Sequence, residues 1–234
     1  MPGPYEDHAE VYDHLVTELR DRHTAEVVVM VLGLLARTEP GLCIDVGCGT
    51  GVVASVLEGV GWRVVGVDLA HRQLVLATKR DRLTRGVVAD AARLPLGSGT
   101  ADLVVSTYTH TDVADWLEAV GEMARVLRPG GLWVYVGAHP CFVGPHAQRG
   151  PRNTMLHDGY YRDSSLRHAG PGLTPGGLRE RTGVRHLSLA HLLGPVFDAL
   201  VVERLAEGDG PPPVPLPRGS DDIPWLLGVR AVRP

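Results

Sequence analysis

The stretch Cys43-Ile44-Asp45-Val46-Gly47-Cys48-Gly49-Thr50-Gly51 constrains this chain more than any other. Leu42 to Val46 is a short apolar run broken only by Asp45, which suits a central strand covered on both faces. Gly47, Gly49 and Gly51 then give backbone freedom and remove side chains that would block a ligand. Val53, Val56 and Leu57 resume at helical spacing. A helix beginning in such a turn aims free N–H groups at whatever sits over the glycines. The spacing is G-x-G-x-G, not the G-x-G-x-x-G of dinucleotide enzymes.

Strand and helix signals alternate on both sides of this turn. Val11, Leu15 and Leu19 mark one face of a helix over 8–20, and Thr24 is placed to cap a second helix through Val27, Val31 and Leu35. After the glycine turn come a strand Arg63–Asp68, a helix 71–82, a short strand Val87–Asp90 and a strand Ala101–Ser106. A helix Asp112–Leu127, with Val113, Leu117, Val120 and Leu127 inward, stops at Arg128-Pro129-Gly130-Gly131 before a strand Leu132–Val136. Regularity fails from about His139 to Thr182, a stretch rich in Gly, Pro, Arg and His. A loop that long is a lid, a binding loop or disordered. A helix Leu187–Leu200, with Leu189, Leu192, Leu193 and Phe197 inward, and strands Leu200–Leu205 and Ile223–Val232 close the chain, joined by a solvated turn containing Pro211-Pro212-Pro213.

The alternation predicts an α/β, doubly wound parallel sheet in one domain of 234 residues. Its parts are an N-terminal helical cover (1–38), a core (39–138), an insertion (139–186) and a terminal helix with hairpin (187–234). Ligands on such sheets bind over the carboxyl ends of the strands, which gathers Asp45 to Gly51, Asp68, Asp90, Ser106 to His110 and Gly137 to Pro140 around one crevice.

Composition narrows the partners. A net charge of −4 without a basic block argues against nucleic acid. No apolar run approaches the roughly 20 residues needed to span a bilayer, and the polar, acidic start is no signal peptide. Three cysteines, two in or beside a buried strand, fit a reduced, cytoplasmic protein.

The landmarks Ile44-Asp45-Val46-Gly47-Cys48-Gly49-Thr50-Gly51, Val64 to Leu69, Val88-Ala89-Asp90-Ala91, Leu94-Pro95-Leu96 and Val126 to Leu132 come in an order that resembles class I S-adenosylmethionine-dependent methyltransferases. The nearest subgroup is the small-molecule enzymes akin to those of quinone biosynthesis, the methyltransferase type 11 group. The resemblance covers about residues 40–137. It implies a Rossmann-like, mostly parallel seven-stranded sheet with a reversed terminal hairpin. It also implies S-adenosylmethionine as cofactor, with S-adenosylhomocysteine as product. Gly47, Cys48, Gly49 and Gly51 then bring the backbone to the cofactor, and Asp45 holds the methionine ammonium. Asp68 accepts from both ribose hydroxyls, Asp90 from the adenine amino group with the Ala91 N–H beside it, and Leu69 and Gln73 flank the base. Thr107 lies near the methionine end, and Tyr12 resembles a cofactor-covering tyrosine. Each acid could instead be a helix cap or turn residue, and Tyr12 a core or surface tyrosine.

Methyl transfer requires a nucleophile aligned with the sulfonium methyl and water excluded. Where the nucleophile is a hydroxyl or an ammonium, histidine suits the role of base. Of 11 histidines, His110 after the fourth strand, His139 after the fifth and His186 before the late helix are the candidates, an ordinary hydrogen-bonded or surface histidine being the plain alternative for each. Tyr108 can hydrogen-bond the acceptor, and Phe142, Tyr160, Tyr161 and Trp225 can wall its pocket. Arg149, Arg152, Arg162 and Arg167 can meet an anionic group or face solvent. His139, His146, His157 and Asp158 have no defensible metal spacing, so no metal is expected.

The expectation is methyl transfer to a small organic acceptor, a specialised-metabolite intermediate, with O-methylation ahead of N- or C-methylation, by a monomer or homodimer. Residues 140–182 are expected to form an acceptor lid. The competing readings are a nucleotide-dependent oxidoreductase and a non-catalytic cofactor-binding partner subunit.

Overall fold

Seven strands form one sheet in the order β3-β2-β1-β4-β5-β9-β8, comprising β1 (Leu42–Val46), β2 (Arg63–Asp68), β3 (Gly86–Val88), β4 (Ala101–Thr107), β5 (Leu127–Ala138), β8 (Val201–Gly208) and β9 (Leu226–Val232). The computed structural model describes residues 5–18, 22–150, 153–161, 165–208 and 223–234. β9 runs antiparallel to both its neighbours, β5 and β8, while β1 to β5 pair in parallel. The expected doubly wound, mostly parallel sheet with a reversed terminal hairpin is thus present.

Alternation along the strands builds two cores. Cys43, Leu103, Val105, Val134 and Val136 face the helices α2 (Arg22–Leu35), α3 (Val52–Gly59) and α4 (His71–Lys79). Ile44, Val104, Trp133 and Tyr135 face α5 (Trp116–Val126) and α7 (Leu189–Ala199) on the other side. Successive strand residues point to opposite faces, and both faces here are dry, which explains the nearly continuous apolar strand sequences.

Several local expectations shift. The helix expected from Asp112 starts at Trp116, capped by Asp115, whose side chain accepts from Glu118 N–H. Residues Thr109–Thr111 form a separate 3₁₀ turn, so Asp112 is free of helix duty. With the start moved, Trp116 is the inward residue and Leu117 is 60% exposed. Phe197 is likewise exposed, because Leu192, Leu193 and Val196 take the inner face of α7. Helix α2 begins before Thr24, which is therefore inside it rather than capping it. The third strand ends at Val88, leaving Asp90 in the following turn, and the helix expected over 71–82 ends at Lys79.

In the first helix, α1 (Ala9–Glu18), the inward side is Ala9 and Asp13, with Val11 exposed. Leu19, expected on its apolar face, lies outside the described residues, as do Arg152, Arg162 and the Pro211-Pro212-Pro213 connection. The 139–186 segment is less irregular than its composition suggests. It carries a hairpin of β6 (Ala147–Arg149) and β7 (Thr154–Leu156), a one-bridge pairing of Arg167 with Val184, and the short helix α6 (Leu178–Thr182).

Candidate active site

Three positive φ angles, 73° at Gly47, 53° at Gly49 and 77° at Gly51, carry the chain from β1 into α3. A Cβ on Gly47 would sit 2.8 Å from Thr109 Oγ1, so the close approach, and not conformation alone, demands glycine there. The turn is fixed from outside by Asp68, at the end of β2. One carboxylate oxygen accepts from Gly49 N–H and the other from Ala70 N–H, both at 2.8 Å. Asp68 therefore clamps the glycine turn to the start of α4. Burial, only partly offset by those two N–H groups, raises its pKa to about 6.

Asp45 is the unusual group. It is 1% exposed, and neither carboxylate oxygen has a hydrogen-bond partner. Burial, reinforced by the Asp68 charge, raises its pKa to about 7. A buried carboxylate without a partner is costly unless a ligand completes it. An ammonium group does so, and the methionine end of S-adenosylmethionine carries one. The residues present therefore fit that cofactor. Gln73 adds a second buried, unpartnered acceptor, its Oε1, on the α4 side of the crevice.

The N-terminal helices roof the glycine turn. Asp13, 2% exposed, pairs with Arg80 at 2.6 Å and Arg82 at 3.1 Å, and Glu10 pairs with Arg72 at 2.9 Å. These ties dock α1 beside α4 and bring the Tyr12 ring to 3.3 Å from the position of a Gly49 Cβ. Burial, then Asp68, pushes the Tyr12 phenol up to about 12, so it stays neutral. Tyr5 meets Tyr12 edge-on at 5.4 Å between ring centroids. The Asp13 anchors were not visible in the sequence, because they come from residues some 67 positions apart.

Two further residues at this crevice escaped the sequence reading. Asp112 accepts from Arg179 Nη1 at 2.6 Å, and Arg179 Nη2 donates to Thr111 Oγ1 at 2.8 Å. The Arg179 guanidinium lies 5.7 Å over the Tyr5 ring. Arg179 belongs to α6, so the end of the insertion reaches the cofactor side of the crevice.

The remaining expected cofactor residues are spread around this centre. Cys48 points its thiol into the α2–α4 core and contributes backbone to the turn. Thr107 ends β4, and Thr109 beyond it hydrogen-bonds the Val46 carbonyl at 2.9 Å beneath Gly47. Leu69 is 41% exposed at the rim. Asp90 accepts from Ala92 N–H at 2.9 Å through one oxygen, and Ala91 is half-buried beside it.

The three candidate histidines do not converge. His110 is buried against Trp116 and Tyr135, with Nδ1 2.7 Å from the Tyr135 hydroxyl, and burial lowers its pKa to about 3. His139 has both nitrogens engaged: Nδ1 accepts from Cys141 N–H at 3.3 Å and Nε2 meets Glu207 at 2.8 Å. Burial lowers its pKa against the pull of Glu207. In His186, Nε2 meets the Tyr160 carbonyl oxygen at 3.1 Å. A carbonyl can only accept, so Nε2 bears the proton and Nδ1 is the basic nitrogen. Burial, then the neighbouring His146 ring 4.3 Å away, lowers the His186 pKa to about 4. His186 is tied to the crevice by Arg185 N–H, which donates to the Thr111 carbonyl at 2.8 Å.

Of the acceptor-side aromatics, Tyr160 packs against both His146 and His186, and its hydroxyl accepts from Leu189 N–H at 3.0 Å. Phe142 lies against His139, with 4.7 Å between the rings. Tyr161 is 79% exposed, and Tyr108 sits at the β4 end with φ 57°. Among the described residues no group of three or more metal-ligating side chains is found, and no helix is long and apolar enough to cross a membrane. Two surface grooves, about 490 Å³ between α5 and α7 and about 430 Å³ between α2 and β8, lie apart from the crevice.

Comparison with known proteins agrees with this geometry. Residues 44–135 match the family described as a methyltransferase domain. A demethylmenaquinone methyltransferase of Thermus thermophilus is 35% identical over 107 residues, 43% of this chain and 49% of that protein. The rat mitochondrial arginine-hydroxylase NDUFAF5 is 35% identical over 129 residues, 54% of this chain and 35% of that protein. The chain thus spans half or less of these two relatives, and their names do not share one reaction. An S-adenosylmethionine-dependent methyltransferase from Mesorhizobium loti superposes with a TM-score of 0.67 at 21% identity, covering 87% of this chain and 95% of that one. At that identity the likeness speaks for the fold.

Proposed function

We propose that the chain, whose residues 44–135 match a methyltransferase domain, is a class I S-adenosylmethionine-dependent methyltransferase that methylates a hydroxyl of a small organic acceptor. The observation that carries the cofactor half is Asp45, a buried carboxylate whose oxygens lack partners beside an open-backbone glycine turn. Asp45 takes the ammonium, Asp68 offers the remaining lone pairs of its carboxylate to the ribose, and Tyr12 covers the turn from water. Bound there, the cofactor supplies an activated methyl: the acceptor oxygen forms the new C–O bond as the C–S bond breaks, with that electron pair left on sulfur.

The chain's own contribution on the acceptor side is to receive the acceptor's proton. His186 Nδ1 is our choice of base. The Tyr160 carbonyl fixes its tautomer, whereas both nitrogens of His139 are engaged and His110 Nδ1 is occupied by Tyr135. A base held neutral by burial is available across the physiological range, though a weak one, which suits an acidic hydroxyl such as a phenol or enol.

The test is calorimetric titration with S-adenosylhomocysteine, followed by transfer of labelled methyl to a panel of phenols, enols, amines and carboxylic acids. Saturable S-adenosylhomocysteine binding with labelled methyl ethers as products is expected. Binding of NADH with no response to S-adenosylhomocysteine would overturn the reading. Substituting His186→Gln should lower turnover by about 10²-fold or more with cofactor affinity unchanged; unchanged turnover would remove His186 as the base.

A further inference from the structure

The methionine end of the proposed cofactor is a zwitterion, and Asp45 answers only its ammonium. A carboxylate drawn into a crevice already holding Asp45, Asp68 and Asp112 needs a cation. Arg179 lies 5.7 Å over the Tyr5 ring, Tyr5 meets Tyr12 at 5.4 Å, and Tyr12 lies over Gly49, whose N–H is held by Asp68. Among these groups Arg179 is the one cation. It stands where the Thr109–Thr111 turn follows β4, held there by Asp112 at 2.6 Å and Thr111 at 2.8 Å. That turn also carries Thr109, against Gly47. The Arg179 side chain is 27% exposed. Asp112 holds it charged and orients it, and the Gly183 carbonyl accepts from the same Nη1 at 3.4 Å, yet a guanidinium has five N–H donors, more than these three partners use.

We propose that Arg179, supplied by the insertion and not by the sheet, binds the carboxylate of the cofactor's methionine moiety, opposite Asp45 at its ammonium. This rests on the methyltransferase reading and adds a residue to it. It also gives the insertion a second role, because α6 then recognises the cofactor while the rest of the segment serves the acceptor. The Tyr5 ring beneath the guanidinium, itself against Tyr12, couples the N-terminal roof to the same contact.

The experiment compares two ligands on the full chain by calorimetry. S-adenosylhomocysteine carries the amino-acid tail, and 5′-methylthioadenosine keeps the adenosine and thioether without it. Arg179→Met should weaken S-adenosylhomocysteine about tenfold or more and leave 5′-methylthioadenosine within about twofold. Arg179→Lys, which keeps the charge and the fold's ion pair with Asp112, should fall between wild type and Arg179→Met. An equal loss for both ligands would overturn the proposal, since Arg179 would then act only by holding Tyr5 and the roof. No loss for either ligand would overturn it as well. If wild type binds neither ligand, the methyltransferase reading itself fails, an outcome distinct from both.

Discussion

The crevice over β1 to β4 and the insertion that overhangs it are built by opposite rules. In the crevice, position comes from the backbone: three glycines with positive φ, a parallel register and a carboxylate clamping two N–H groups. In the insertion, position comes from side chains and single bridges, such as Arg167 with Val184, Tyr160 with His186 and Arg179 with Asp112. Backbone-defined sites hold a ligand shared by many proteins, whereas side-chain-defined ones change with few substitutions. On the proposed function, the difference assigns cofactor and acceptor to separable parts, with α6 as the exception that crosses between them.

The sharpest break would come from removing part of the insertion. Replacing residues 141–172 with a short Gly-Ser linker takes away Tyr160 and His146 but spares α6. Turnover should fall below detection while S-adenosylhomocysteine affinity stays within a few-fold in calorimetry. A collapse of affinity would show that the two parts are not separable. Next in size, Asp45→Asn keeps the shape and removes the charge. It should weaken S-adenosylhomocysteine by roughly 1.5–3 kcal/mol, a loss of about 10- to 150-fold in affinity at pH 8; an unchanged affinity would mean the ammonium lies elsewhere.

The pH dependence follows from the same group. The folded pKa of Asp45, about 7, is raised above its ordinary 3.8, so the fold favours the neutral acid. That contribution to stability is fully present below pH 3.8 and is lost as pH rises through 7, so the ligand-free chain should melt lower at pH 8 than at pH 5. Cofactor binding needs the carboxylate, so affinity should drop by about tenfold between pH 7.5 and pH 6, with a proton released on binding. Titrations in two buffers of different ionisation enthalpy check this, and Asp45→Asn should abolish the release. The smallest effect belongs to the core beneath: Tyr135→Phe strips His110 Nδ1 of its partner, 2.7 Å away. It should cost about 1–2 kcal/mol in denaturant unfolding and leave S-adenosylhomocysteine binding unaltered.

Legibility in the sequence followed the same division. The strands were readable because both sheet faces are buried, which makes each strand an apolar run bounded by glycine or an acid, as in Arg63–Asp68. Helix starts were harder. Asp112 and Asp115 are equally good caps by composition, and the ion pair with Arg179 takes the first and leaves the second to α5. Leu117 and Phe197 were assigned inward by periodicity, yet Trp116 and Val196 take the buried positions, because a one-residue change in phase turns a helix face by about 100°. The β6–β7 hairpin was missed since each strand has three residues, too short for an alternating pattern.

By itself, the sequence determined the sheet, its glycine turn and the carboxylates that end β1 and β2, because these depend on local backbone demands and on neighbours close along the chain. Tertiary structure decided which partner each of three similar histidines meets, and that Arg179 meets Asp112. It also decided that Asp13 and its arginines set Tyr12 over Gly49. Those outcomes rest on contacts between residues about 26 to 69 positions apart, whose free energy depends on burial and mutual geometry that no local pattern encodes.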